Sequence, residues 1–361
     1  GVLQYEEKPA FYVYHQEFTL NNETIVRKAL IGALELTRFK EDIVLPHEKT
    51  HTAPKQDRLE LTRATEAYYG NIFILYPDAE NKVDALFDAV TQRKPDVEVR
   101  ELFEKDVCQK VWVVTDEALI AAVQAEMTPK KGLIIADGHH RYETALAYRD
   151  EMRATFPDAP ANAAFNYLMV ALVSMSDPGL AILPTHRLIF DYDEMQFDEI
   201  LEKAAEYFEI GKVKDRAALE AKMDSVIGKD GCFGIVSRDA VHCLKLKSAS
   251  VMETLAPSHD ISWQSLDVSI LHKLILEHIM EIDPSSIDEK CCIEYLREPD
   301  RGYERVAQDD NAFLFILNPT RMEQIKACTA ADEKMPQKST DFYPKMVSGL
   351  TMLDIRADEQ L

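Results

Sequence analysis

The sequence contains no Cys-x-x-Cys pair. Its six cysteines (Cys108, Cys232, Cys243, Cys291, Cys292 and Cys328) are scattered over 361 residues, so neither a zinc ribbon nor a disulfide framework is indicated, and they read as reduced thiols of a cytoplasmic protein. Long apolar runs are also missing. The most apolar stretch, residues 167–175, is far shorter than the about 18 residues that suggest a membrane span, and the N-terminus carries no signal-peptide pattern. Positive charge is in deficit: 41 Lys and Arg stand against 63 Asp and Glu, for a formal charge of -22. That balance argues against broad attraction to nucleic acid or anionic lipid and leaves only a local basic pocket as an anion site. There is no internal repeat and no low-complexity tract. What remains is a globular chain, 46% hydrophobic, with length for about two domains.

Short apolar runs alternate with amphipathic stretches, the signature of a mixed α/β or α+β fold. Residues 11–18 read as a strand. Residues 22–39 place Ile25, Ala29, Leu30, Ala33, Leu34 and Leu36 on one broad stripe, which predicts a helix. Residues 55–69 predict a helix leading into the strand "NIFILYP", and residues 81–92 another helix. "VEVREL" and "KVWVVT" can pair as strands, residues 117–127 are helical, and "LIIA" is a short buried strand before a helix at 142–155. Further on come a hairpin, "CFGIVSRDAVHCLKLK", with Arg238-Asp239 at its turn, and a long helix at 266–282. The pattern shifts near residue 190, giving expected domains of 1–190 and 191–361.

The most informative stretch is "LIIADGHHRYETALAYRDEM". A buried strand running through a glycine turn into a helix aims backbone N–H groups and the positive helix end at one place, where phosphate is the natural occupant. Gly138 permits close backbone approach, Arg141 can fork onto phosphate oxygens, and His139 and His140 add donors. Asp137 can cap the helix, hold a histidine tautomer, or contact Mg²⁺ through water. The alternative is a polar cap with two surface histidines. A cap needs only one such group, however, and three cationic or donor side chains crowd this helix start.

"LPHEKTHTAP" raises a different possibility, because His47, Glu48 and His51 fit the His-Glu-x-x-His pattern of zinc peptidases. Those ligands must share one helix face. Pro46 and Pro54 bracket a window of barely two turns, and Thr50 and Thr52 disfavour helix, so the segment reads as strand into loop and zinc is not expected. Glu48 is then open to other chemistry. Phosphoryl transfer asks chiefly for positive charge around the phosphate and a carboxylate to orient or deprotonate the attacking hydroxyl.

"LPHE" together with "DGHHR" resembles the ParB/sulfiredoxin superfamily, in particular its free serine kinase branch. A longer ordered series resembles a large, mostly uncharacterised bacterial and archaeal family of that group: "FYVY", "HEKT", "APKQDRLELTRAT", "IIADGHHRYETALAYRDEM", "LPTHRLI", "LDVSILHKLI" and "MPQKSTDFYPKMVSGL". The resemblance implies a ParB/sulfiredoxin-like nucleotide-binding half followed by a second α/β half. It makes Glu48 the base on a substrate hydroxyl, and gives Asp137, Gly138, His139, His140 and Arg141 the nucleotide phosphates. It further implies ADP as donor and free serine as the leading acceptor; from the residues alone the nucleotide is ADP or ATP, the acceptor a small hydroxyl metabolite, and Mg²⁺ held by Asp137 and the phosphates is expected to neutralise the remaining charge. A ParB-like nucleotide switch without kinase activity is the alternative. Sulfinic acid reduction would need a cysteine inside the loop, where this chain has His139 and His140. Members of the long family also carry an N-terminal region with a Pro-Tyr-Asp segment, and Gly1 falls after it. Additional candidates are His47, Lys55, Asp57, Arg58, the pair His186-Arg187, and Lys338, Ser339, Thr340 and Lys345 of "KSTDFYPK". Each has a plainer reading: Asp57 as a helix cap, Lys55 as a surface lysine, and the "KSTDFYPK" loop as one packed by Phe342 and Tyr343.

Overall fold

The computed structural model describes residues 4–48, 53–102, 104 and 106–361, with the side chains of residues 53–55 and 288 outside that description. It is a mixed α/β protein of two compact units, one formed by Gly1–Pro46, Thr50–Ala181 and Phe342–Leu361, the other by His47–Lys49 and Ile182–Asp341.

The first unit is built on an eight-stranded sheet. Its strands are β1 (Phe11–Leu20), β2 (Glu23–Glu35), β3 (Val44–Pro46), β4 (Ile72–Tyr76), β5 (Val97–Arg100), β6 (Cys108–Val114), β7 (Leu133–Asp137) and β8 (Tyr167–Ser174). They lie in the order β3-β7-β4-β8-β2-β1-β6-β5. β3 runs parallel to β7 and β4 parallel to β8; the remaining pairs are antiparallel. Strands β4 and β7 read as continuous apolar runs because both faces are covered. Ile72, Ile74, Ile135, Leu168, Val170 and Tyr142 form the core on one face.

The stripe in residues 22–39 is a strand, not a helix. Asn21 and Asn22 both adopt positive φ, 52° and 63°, and join β1 to β2 as a two-residue hairpin with Leu20 opposite Glu23. Asparagine tolerates that backbone, whose twist matches the flanking strands. Paired with β1 along Glu23–Ile31 and with β8 along Leu30–Glu35, the strand, with its β-branched Thr24, Ile25, Val26 and Ile31, overrides the helical spacing of the apolar residues. Residues 81–92 form two single turns, Lys82–Ala85 and Asp88–Thr91, instead of one helix.

Helix α1 (Ala53–Thr65) packs against α3 (His139–Thr155), and Arg63 bridges to Glu151 between them. Helix α2 (Glu117–Met127) begins where the Asp116 carboxylate accepts the Leu119 N–H at 2.8 Å.

The second unit has a six-stranded antiparallel sheet. Its strands are His186–Ile189, Phe208–Val213, Cys232–Val236, Val241–Leu246, Ile293–Leu296 and Phe313–Ile316. The hairpin expected from "CFGIVSRDAVHCLKLK" is the Cys232–Val236 and Val241–Leu246 pair. Leu188, Leu219, Leu314 and Ile316 sit in its core. The helical run at 267–279 changes from α-helix, Asp267–Ile270, to π-helix, Leu271–Ile279. Among the described residues no helix is long and apolar enough to cross a membrane.

Candidate functional site

The candidate residues sort into two groups, one in each unit. In the first, β7 ends at Asp137 and α3 begins at His139, with Gly138 between them at φ 101°, ψ 25°. A side chain is strained at that φ, so glycine is what lets the buried strand turn directly into a helix of 17 residues. The first intrahelical bond runs from the Tyr142 N–H to the Gly138 carbonyl at 2.9 Å. The N–H groups of residues 139–141 therefore lie in the turn that no helical carbonyl reaches.

Arg141 folds back over this turn. Its Nη2 meets the Asp137 carboxylate at 3.0 Å and its Nη1 donates to the Asn71 carbonyl at 2.9 Å. Two glycines make room for the guanidinium: a Cβ on Gly138 would stand 2.9 Å from Nη2, and one on Gly70 would stand 3.2 Å from Nη1. Lys345 reaches the other oxygen of Asp137, at 3.9 Å. One half-exposed carboxylate thus lies between two cations at the start of a long helix. His139 is buried and His140 half-buried in the first turn.

The second group surrounds Glu48. His47 and Glu48 are extended: Glu48 bridges Met335 in parallel, and the Met335 N–H donates to the His47 carbonyl at 2.8 Å. His51 lies outside the described residues, and α1 starts after it at Ala53. His47 and Glu48 are therefore not on the helix face that a zinc peptidase motif requires. The Thr340 hydroxyl donates to Glu48 at 3.3 Å, and His47 Nε2 lies 2.9 Å from the same hydroxyl. A hydroxyl has one proton, so with that proton on the carboxylate side it accepts from His47 Nε2–H. His47 is fully buried, which fixes this chain in place.

Arg187 is the other charge near Glu48. It is entirely buried, donates to the carbonyls of Thr185 and Lys338, and lies over the Tyr295 ring at 5.3 Å. Burial pulls its guanidinium down to about 10, against the opposing charges of Tyr295 and Glu48. Burial, then Arg187, hold His186 down at about 4 and His272 at about 3, so both rings are neutral near pH 7. Arg187 Nε and His272 Nε2 are buried with no hydrogen-bond partner among the described residues. Unused hydrogen-bonding capacity therefore lies on Arg187 and on His272.

Asp57 and Arg58 are exposed in the second turn of α1, so Asp57 is not its cap, and the Lys55 side chain lies outside the described residues. Lys338 is exposed, whereas Ser339 is buried and donates to the Pro336 carbonyl. His186 serves the fold, accepting the Leu317 N–H at 3.2 Å. Two residues not anticipated from the sequence are Gln16 and Arg27, buried directly opposite one another in β1 and β2. The signal was an arginine inside the apolar run "TIVRKALIGAL".

Residues 1–269 match the family described as a protein of unknown function, DUF1015. The chain belongs to this family. Lys345 lies beyond the matched span. No curated protein matches. Among solved structures, the chain is similar to a free serine kinase variant in complex with ADP, at 13% identity and TM-score 0.42 over 90% of this chain and 92% of that one. It is also similar to C-terminally truncated SbnI from Staphylococcus aureus, at 11% identity and TM-score 0.42 over 90% and 87%. A conserved hypothetical protein from Pyrococcus furiosus matches at 13% identity and TM-score 0.38 over 88% and 94%. Values this low leave each residue's role to be argued from its own geometry.

Proposed function

We propose that this DUF1015 protein is a nucleotide-dependent phosphotransferase of the ParB/sulfiredoxin type, acting on the hydroxyl of a small metabolite, with free serine as the leading acceptor. The observation that carries the reading is the turn at Gly138. A buried strand delivers the start of a 17-residue helix to the same spot as the Arg141 guanidinium and the Lys345 ammonium, which is what a polyphosphate needs and more than a cap uses. Asp137, His139, His140 and Arg141 bind the phosphates of ADP or ATP around Gly138.

Magnesium commonly rests on one or two carboxylates plus phosphate oxygens and water. Asp137, half-exposed at the Gly138 turn, would be that one carboxylate. The ion would neutralise charge on the phosphates. Glu48 is the base: it is partly exposed, receives the Thr340 hydroxyl, and has Arg187 as its buried counter-charge. It orients the acceptor hydroxyl and takes its proton.

Nucleotide titration by calorimetry, with phosphotransfer to serine followed in parallel, tests this. Glu48→Gln should lose turnover by at least a hundredfold while ADP affinity stays within about threefold. A protein that binds nucleotide yet has no transfer activity to lose is instead a ParB-like switch, and one that binds no nucleotide ends the reading altogether.

A further inference from the structure

Arg27 is among the largest fully buried side chains of the first unit, and it is bound by neutral oxygens. It lies 4.7 Å above the Phe73 ring. Its Nε meets Gln16 Oε1 at 3.1 Å, its Nη1 donates to the Tyr343 carbonyl at 3.1 Å, and its Nη2 donates to Gln16 and to the Pro344 carbonyl. Gln16 Nε2 in turn donates to the Lys345 carbonyl at 3.0 Å. Three consecutive carbonyls, 343 to 345, are thus fastened by one cross-strand pair from β1 and β2. Burying a guanidinium is costly, and an apolar residue of similar size would often serve stability as well or better. The pair does something an apolar filling cannot: it fixes the orientation of these peptides. The side chain that this peptide orientation presents is Lys345, which reaches Asp137 beside Arg141.

We propose that Arg27 and Gln16 are positioning residues for the phosphate site: they hold the 343–345 backbone so that the Lys345 ammonium stands at the Asp137–Arg141 turn as a phosphate-binding cation. This rests on the phosphate reading of that turn. A lysine side chain loses much rotameric freedom when it is held in one place. A tail that also had to be ordered at the moment of binding would add to that loss, and the clamp removes the tail's share beforehand.

The test is a double-mutant cycle on the full chain, read as ADP affinity in the presence of Mg²⁺ and, separately, as thermal unfolding. Lys345→Met should weaken ADP about tenfold, one charge-assisted contact's worth, and Lys345→Arg should restore most of it. Arg27→Gln should weaken ADP to a similar degree. The double variant should bind no worse than Lys345→Met alone, although Arg27→Gln lowers the melting temperature equally in both backgrounds. Should Arg27→Gln fail to fold, Gln16→Met, which removes the anchor on the Lys345 carbonyl, enters the same cycle. Additive losses of affinity overturn the positioning role. If Lys345→Met leaves ADP affinity unchanged while Arg141→Ala weakens it, this proposal fails and the phosphate site stands. If neither variant matters, the phosphate site itself is refuted.

Discussion

His186 makes an acid-sensitive element of the second unit, independent of any ligand. It is 5% exposed, and its Nδ1 accepts the Leu317 N–H, which requires a neutral ring with its lone pair on that nitrogen. Burial first, and the neighbouring Arg187 second, lower its pKa from 6.5 to about 4. The unfolded chain therefore binds a proton on this residue between pH 6.5 and 4 that the folded chain refuses. Stability is whole above pH 6.5, falls as pH drops through that window, and levels off only below the folded value. One pKa unit corresponds to about 1.4 kcal/mol, so the full window is worth roughly 3 kcal/mol. His272 loses stability in the same direction, and the decline of the native protein contains both contributions. Replacing His186 with Asn removes one titration. The variant should be less stable at pH 7.5, since a buried hydrogen bond is disturbed, by about 1 to 2 kcal/mol. Between pH 7.5 and 4.5, which covers most of that window, it should lose less than the native protein by about 2.5 kcal/mol. Urea unfolding at the two pH values, followed by far-ultraviolet circular dichroism, measures the difference directly. Parallel losses in native and variant protein would show that His186 is not held neutral by its surroundings.

Arg141→Ala should reduce ADP affinity roughly ten- to hundredfold while changing stability by less than about 1 kcal/mol, because its ion pair with Asp137 is partly exposed; calorimetry and thermal melts separate the two. Gly179→Ala should be severe: its Cβ would stand 2.2 Å from the Val26 carbonyl oxygen and 2.7 Å from the Arg27 Cα, both backbone atoms of β2 that cannot step aside. A loss of roughly 3 kcal/mol or more is expected in chemical denaturation. Asn22→Gly, at φ 63° in the β1–β2 turn, should stabilise the protein by up to about 1 kcal/mol, since Asn-Gly suits that turn better than Asn-Asn. A lower melting temperature for this variant would argue against the hairpin that replaces the expected helix.

Much of the local structure was legible because it depends on neighbours in the chain. "LIIADGHHR" states strand, glycine turn and helix in one reading, since each step follows from a residue's own backbone preference, and the structure places Gly138 at the positive φ that only glycine adopts freely. The prolines around "HEKTH" likewise argued against a helix through His47 and Glu48, and that backbone is extended. Residues 22–39 satisfy a helical stripe although Glu23–Glu35 form a strand, because Ile25, Ala29, Leu30, Ala33 and Leu34 fall at helical spacing as well. The deciding signal was two asparagines, which became decisive only once a partner strand was known.

The sequence by itself determined the mixed α/β class, the strand–turn–helix at Gly138 and the extended segment carrying Glu48, because propensity and turn chemistry act over a few residues. Only the tertiary structure decided which distant groups meet. It brought residues 342–361 back to the first unit, set Lys345 beside Asp137, spent the buried Arg27 and Gln16 on the carbonyls of 343–345, and gathered Thr340 and Arg187 around Glu48. Contacts between residues hundreds of positions apart are selected by sheet register and by the need to satisfy every buried polar group, and neither is written in a local stretch of chain.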